Sequence, residues 1–166
     1  MENKIILGVD PSLSSTGYAI LSKDKIYGCN KINTPSSYDT DTRIQNILHT
    51  LDTIIKSIDI NIDCVIMEDG FIGFSGKTSL QLAQLRGAII AFFKWRNIPV
   101  IHQQPASIRK HFGLQGNASK EEVADEVLRR FPEIKMQIGP YSDKSNKKKT
   151  SDIYDAISIG LSYFSQ

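Results

Sequence analysis

Apolar residues in the first 33 positions come in short runs, whereas from residue 44 they recur every three or four positions. The run Lys4 to Asp10 (KIILGVD) is nearly all apolar and ends in a charge, which predicts a central strand buried on both faces. Pro11-Ser12 makes a turn, and two more strands are predicted over Thr16 to Leu21 and Lys25 to Asn33, joined through Ser22-Lys23-Asp24 as a hairpin meander. From Tyr38 to Ile58 the positions Ile44, Ile47, Leu48, Leu51, Ile54, Ile55 and Ile58 trace one face of an amphipathic helix. Ile62 to Glu68 (IDCVIME) then predicts a fourth strand, ending in a second carboxylate and opening into a glycine-containing loop, Asp69 to Lys77. A strand feeding an exposed loop is a common place for a site.

Leu80 to Trp95 predicts a second helix that is apolar on almost every face, with Leu82, Leu85, Ala88, Ile89, Ile90, Phe92 and Phe93 spread around it. Such a helix is expected to be buried all round, deep in the domain or against a second copy. Ala83, Gly87 and Ala91 at four-residue spacing would let another helix approach closely, which favours a dimer interface. A fifth strand is predicted at Ile98 to His102, a short helix at Pro105 to Phe112, and a helix at Ser119 to Arg130 with Ser119 as N-cap and Glu122 three residues on. Glu133 to Thr150 lacks periodicity and reads as a polar, lysine-rich connection. A final helix is expected over Asp152 to Phe164, with Ile153, Ala156, Ile157, Gly160, Leu161 and Phe164 on its core side. The order of elements predicts an α/β fold with a mixed sheet, in one domain spanning 1–166.

Composition narrows the class. At 166 residues, 40% hydrophobic and 23% charged, the chain buries a core without disulfides, and composition excludes disorder. Cys29 and Cys64 show no zinc-ligand spacing, and the N-terminal apolar stretch is too short for a membrane span. A cytoplasmic location and no membrane partner are therefore expected. Net charge is +2, but residues 1–93 carry eight Lys and Arg against ten Asp and Glu, residues 94–150 twelve against six, and residues 151–166 none against two. A basic segment between two acidic ones suits a protein that holds a polyanion with one region and keeps carboxylates for chemistry elsewhere.

Four carboxylates stand out by position. Asp10 ends the first strand, Glu68 ends the fourth, and Asp152 and Asp155 open the last helix on one side of it. If strands one and four are neighbours, a helix packed across their ends completes a cluster. Clustered carboxylates raise one another's pKa unless a cation is present, so a metal is implied. An all-oxygen set suits Mg²⁺ or Mn²⁺ rather than zinc, and two such ions about 3.5 to 4 Å apart serve in-line attack on phosphodiesters.

These residues resemble RuvC, the Holliday-junction resolvases of the RNase H-like superfamily, over Ile6 to about Leu161. ILGVDPSLSSTGYAI is similar to that family's first two strands, IMEDGF to its fourth strand and glutamate, and SLQLAQLRG to the helix that follows. IRKHFGLQGNASKEEV is similar to its lysine-bearing DNA-approaching segment, and SDIYDAISIGL to its last helix. The resemblance implies an RNase H-like fold with a five-stranded mixed sheet flanked by helices. It also implies a homodimer that binds branched DNA, four-way junctions above all, and cuts two opposed strands with Mg²⁺ or Mn²⁺, with two ions per site. Asp10, Glu68, Asp152 and Asp155 would be the metal-binding tetrad, with Lys120 near the scissile phosphate. Arg109 stands where familiar members have lysine, and Phe71 matches an aromatic at the junction centre. Lys147, Lys148 and Lys149 are expected to contact DNA phosphates. Ser12, Asp69 and the long lysine-rich segment Lys144 to Lys149 depart from the family pattern and suggest a divergent, bacteriophage-type branch acting in a bacterial host's cytoplasm.

Three other functions fit part of the pattern: a broader branched-DNA nuclease cutting forks and flaps, a non-catalytic DNA-binding module, and an actin-like kinase or ATPase with GVDPSLSSTG as phosphate loop. Retention of all four acids argues against the second. The third needs two such domains. His49, His102 and His111 share no metal-ligand spacing and are expected to be structural or solvated.

Overall fold

A computed structural model describes residues 4–69, 76–138 and 144–165, with the side chains of 144–149 and 165 outside the described set. The strands are β1 (Ile6–Asp10), β2 (Ser15–Leu21), β3 (Ile26–Asn33), β4 (Cys64–Glu68) and β5 (Val100–Gln103). They form one five-stranded sheet in the order β3-β2-β1-β4-β5. β1 pairs antiparallel with β2 and parallel with β4, and β4 pairs parallel with β5. The expected mixed sheet is therefore present, with the KIILGVD strand at its centre.

Side-chain alternation along these strands divides the core in two. Leu7, Val9, Val65 and Met67 face one side, where they pack with Ile47 and Leu51 of α1 (Thr40–Ser57) and Leu85, Ile89 and Phe93 of α2 (Gly76–Trp95). Ile6, Cys64 and Ile66 face the other side, against α3 (Pro105–His111), α4 (Lys120–Arg130), α5 (Ile134–Ile138) and α6 (Lys144–Leu161). A 3-10 turn, Ser162–Ser165, follows α6. By the same alternation, Asp10 and Glu68 fall on the α6 side.

Two expectations are corrected. The stretch Glu133 to Thr150 is not simply a connection: Ile134–Ile138 is helical with Ile134 buried, and α6 begins at Lys144. Lysine is a good helix former, but the first turns of α6 carry no apolar stripe, so hydrophobic periodicity begins too late to reveal them. Nor is α2 buried all round within the chain. Only Leu85, Ile89 and Phe93 are buried, whereas Leu80 and Trp95 are exposed, as is the small-residue stripe Ala83, Gly87 and Ala91. Of the two burial alternatives, the deep position inside this domain is thus excluded. Among the described residues no helix is long and apolar enough to cross a membrane.

Candidate active site

Two glycines set how closely α6 can approach the sheet. A Cβ at Gly8 of β1 would stand 2.7 Å from the Gly160 nitrogen and overlap the Ala156 carbonyl, and a Cβ at Gly17 of β2 would overlap the Asp152 carbonyl. Glycine at these two positions allows helix backbone to rest directly on strand backbone. Gly17 pairs with Asp10 in the β1–β2 ladder, so the close approach carries Asp152 to the end of β1.

The result is a tight acidic group. Ligand oxygens of Asp10, Asp152 and Asp155 all lie within 4.8 Å of one another, and the three residues are half-buried. Glu68 stands beside this group rather than in its tightest part. The β1–β4 register pairs Val9 with Met67, and one further step sets Asp10 alongside Glu68. Glu68 and Asp155 line a cleft together with Arg109 of α3 and Lys120 of α4.

Burial is the largest cause raising the Asp10 carboxyl, to about 8, and the Asp155 charge is next; Lys120 pulls in the opposite direction. Glu68 is likewise pushed up by burial and Asp155, against Arg109, Lys120 and Arg86. Asp155 is pushed up by burial, with Lys120 opposing. Half-buried oxygens that resist ionisation in one another's company are a good fit for a hard divalent cation, which would remove the repulsion.

Cations and hydroxyls hold the acids in place. Lys120 Nζ donates to Asp155 Oδ2, and Ser15 Oγ donates to Asp152 Oδ2 at 2.6 Å. Lys120 occupies the first position of α4, capped by Ser119 in a complete capping box with Glu122. A lysine there opposes the helix macrodipole, a local cost that its contact with Asp155 offsets. Arg109 Nη1 reaches the Gly116 carbonyl at 3.4 Å, which ties α3 to the loop leading into α4.

The structure therefore gathers Asp10, Glu68, Asp152, Asp155, Arg109 and Lys120. Phe71 lies outside the described residues, as do the side chains of Lys147, Lys148 and Lys149, whose backbone is in α6. Sequence reasoning missed Ser15, whose position next to the turn was its only signal, and Arg86. The Arg86 guanidinium is 3.4 Å from His102 Nδ1 and feels the charges of Asp69, Glu68 and Asp10. His102, expected to be structural or solvated, lies within β5 with Nδ1 3.7 Å from Asp69 Oδ1.

A mixed sheet ordered β3-β2-β1-β4-β5, with carboxylates at the ends of its two central parallel strands and a closing helix bringing two more, defines an RNase H-like fold with a group of acids at its strand ends. The family model described as crossover junction endodeoxyribonuclease RuvC matches residues 6–163, so the chain belongs to the RuvC family. It is 30% identical over 165 residues to the RuvC of Helicobacter pylori, covering 95% of this chain and 94% of that one. To the RuvC of Pelodictyon phaeoclathratiforme it is 31% identical over 161 residues, 95% of this chain and 78% of the relative. The fold is similar to that of Thermus thermophilus RuvC in complex with a Holliday junction substrate, with TM-score 0.76 and 16% identity over 97% of this chain and 93% of that chain. The yeast mitochondrial Holliday junction resolvase Ydc2 gives TM-score 0.69 and 14% identity over 98% and 78%.

Proposed function

We propose that the chain is a metal-dependent endonuclease that resolves four-way (Holliday) DNA junctions, cutting two opposed strands symmetrically as a homodimer. The observation that carries this reading is the meeting of Asp10, Asp152 and Asp155 within ligating range of one another, in a member of the RuvC family. The junction-bound relative supports branched DNA as the substrate class.

The all-oxygen donor set supports Mg²⁺, with Mn²⁺ able to substitute, and the family resemblance together with the two-ion route to phosphodiester attack supports two ions per site. Bound there, such ions would supply an activated water for in-line attack and offset charge on the leaving oxygen. Asp10, Asp152 and Asp155 would hold the ions with Glu68 beside them, and Ser15 fixes the orientation of Asp152. Lys120 and Arg109 face the same cleft, where their charges stabilise the extra negative charge that develops on the phosphate oxygens. The water oxygen joins phosphorus as the bond to the 3′ oxygen breaks, and that oxygen leaves as a hydroxyl, so the nick remains ligatable. On the strength of the resemblance, Phe71 stacks at the junction centre, and the basic charge of residues 94–150 supports Lys147, Lys148 and Lys149 as holding flanking phosphates. The exposed stripe Ala83, Gly87 and Ala91 on α2 supports a second copy as its cover.

The test incubates the protein with Mg²⁺ and, in parallel, a four-way junction, a fork, a flap and a linear duplex. Preferential cutting of the junction is expected. Equal cutting of forks and flaps would make it a broader branched-DNA nuclease, and binding without cutting would make it a non-catalytic module.

A further inference from the structure

The turn after β1 has two sides. On one, Ser15 bonds Asp152 of the acidic group. On the other, Ser12 and Ser14 line a separate cleft of about 310 Å³, shared with Arg43 of α1 and with Thr78 and Gln81 of α2. The turn is pinned from below. The fully buried Thr16 hydroxyl donates to the Ser12 carbonyl at 2.6 Å and accepts from the Ser12 amide at 3.2 Å, and the Thr34 hydroxyl donates to the Leu13 carbonyl.

Arg43 is aimed by the same framework. Its Nε donates to Thr34 Oγ1 at 2.8 Å and its Nη2 to Ser14 Oγ at 3.3 Å, and among the described residues no carboxylate lies within ion-pair distance of it. A half-buried arginine whose guanidinium is oriented by hydroxyls, in a cleft with no acid among its described lining residues, is a seat for an anion. Ends of the chain's strands place that seat. Thr34 follows β3, Ser15 opens β2, Asp10 ends β1 and Glu68 ends β4, all along one edge of the sheet. Arg43 therefore stands toward β3 on the α1–α2 face of the sheet, and Arg109 and Lys120 stand toward β4 on the α6 face. The seat opens on the α1–α2 face of the sheet, whereas Asp10 and Glu68 fall on the α6 face, so it is set apart from the scissile phosphate and suits a neighbouring one reached over the strand ends.

We propose that the Arg43 cleft binds a backbone phosphate of the cleaved DNA strand, next to or one beyond the scissile phosphate, and so fixes the strand's register over the acidic group. This rests on the nuclease reading above and deepens it by assigning a second phosphate subsite. Arg43 binds substrate and positions it; it takes no part in the bond-breaking step.

The test replaces single phosphates on either side of the cleavage site of a four-way junction with uncharged methylphosphonates and measures binding in Ca²⁺ and cleavage in Mg²⁺. In the wild-type protein one flanking position is expected to weaken binding about ten- to hundredfold, the loss expected for a charge-assisted hydrogen bond. In Arg43→Gln the same loss appears on the unmodified junction, with no further loss when that one phosphate is neutralised. The slope of log affinity against log salt falls by about 0.9. Ser12→Ala, which leaves the bonds from Arg43 to Thr34 and Ser14 in place, should reduce sensitivity to that same phosphate and keep the melting temperature; it decides the matter if Arg43→Gln does not fold. Wild-type cleavage that is indifferent to every flanking neutralisation, or an Arg43→Gln salt slope equal to wild type, would overturn the proposal. Wild-type cleavage of the unmodified junction in the same experiment would leave the nuclease reading intact.

Discussion

Gly17 lies so close beneath Asp152 that a Cβ on the glycine would overlap the aspartate's carbonyl oxygen. This contact links the sheet to the acidic site, because Gly17 is also the ladder partner of Asp10. Gly17→Ala is therefore expected to push α6 away and to separate Asp152 from Asp10. Overpacking of this kind costs about 1–3 kcal/mol, which lowers the melting temperature by about 2–4 °C per kcal/mol at this size. Cleavage should fall further than stability alone explains. Gly28→Ala on β3, where a new Cβ meets nothing within 4 Å, is the control and should change neither measurement.

Metal-free stability should depend on pH in an unusual direction. The Asp10 carboxyl stands at about 8 in the fold against 3.8 when exposed, raised first by burial and then by Asp155. Between those values the folded state binds more protons than the unfolded one, so stability is lost as pH rises through the window. Glu68 and Asp155 are shifted the same way. Glu126, held at about 2 first by its hydrogen bond from Arg129, acts only at lower pH. Melting in a chelator should thus decline from pH 5 to 8, and Asp10→Asn should flatten the decline and stabilise the metal-free protein by about 1 kcal/mol or more, the free-energy equivalent of one pKa unit. Mg²⁺ should stabilise more at pH 8 than at pH 6, since its ligands must be ionised. Chelated protein that grows more stable from pH 5 to 8 would contradict this.

Much of this architecture is legible in the residues themselves. KIILGVD and IDCVIME place Asp10 and Glu68 because a buried strand's period and its terminal charge are local properties. The capping box at Ser119 and Glu122 is equally local and is present. What pattern does not show is tertiary. The close seats at Gly8 and Gly17 exist only once α6 lies across the sheet, and Arg86 becomes a neighbour of Glu68 only when α2 packs beneath β4. The polar start of α6 is hidden for the opposite reason, since it has no apolar face to give it a period.

Arg109 and Lys120 are expected to matter for cutting more than for holding DNA. Each Ala substitution should slow single-turnover cleavage about a hundredfold, the order found when one preorganised donor to developing charge is removed, with affinity in Ca²⁺ changed only a few-fold. By contrast, replacing Lys147, Lys148 and Lys149 together should weaken binding to every sequence alike and lower the salt slope by up to about 0.9 for each phosphate no longer neutralised. An unchanged slope would return these lysines to solvent.

The apolar residues left open on α2 predict self-association. Light scattering should report twice the monomer mass at micromolar concentration. Ala83→Glu combined with Ala91→Glu, at positions exposed in the single chain, should yield a folded monomer that still binds Mg²⁺ but no longer makes paired cuts. A wild-type monomer that stays monomeric on junction DNA would exclude the dimer.

The central claim is that one acidic site per protomer, built from Asp10, Asp152 and Asp155 with Glu68 beside them, cuts a junction in two matched places. Strand mapping tests it most directly, with all four arms of a fixed junction end-labelled separately and the protein added with Mg²⁺. The expected result is a pair of incisions at symmetry-related positions on two opposed strands, religated by DNA ligase, absent in chelator and absent with Asp10→Asn although that variant still binds the junction. Full cutting by Asp10→Asn, or wild-type incisions scattered over all four strands without pairing, would contradict the account.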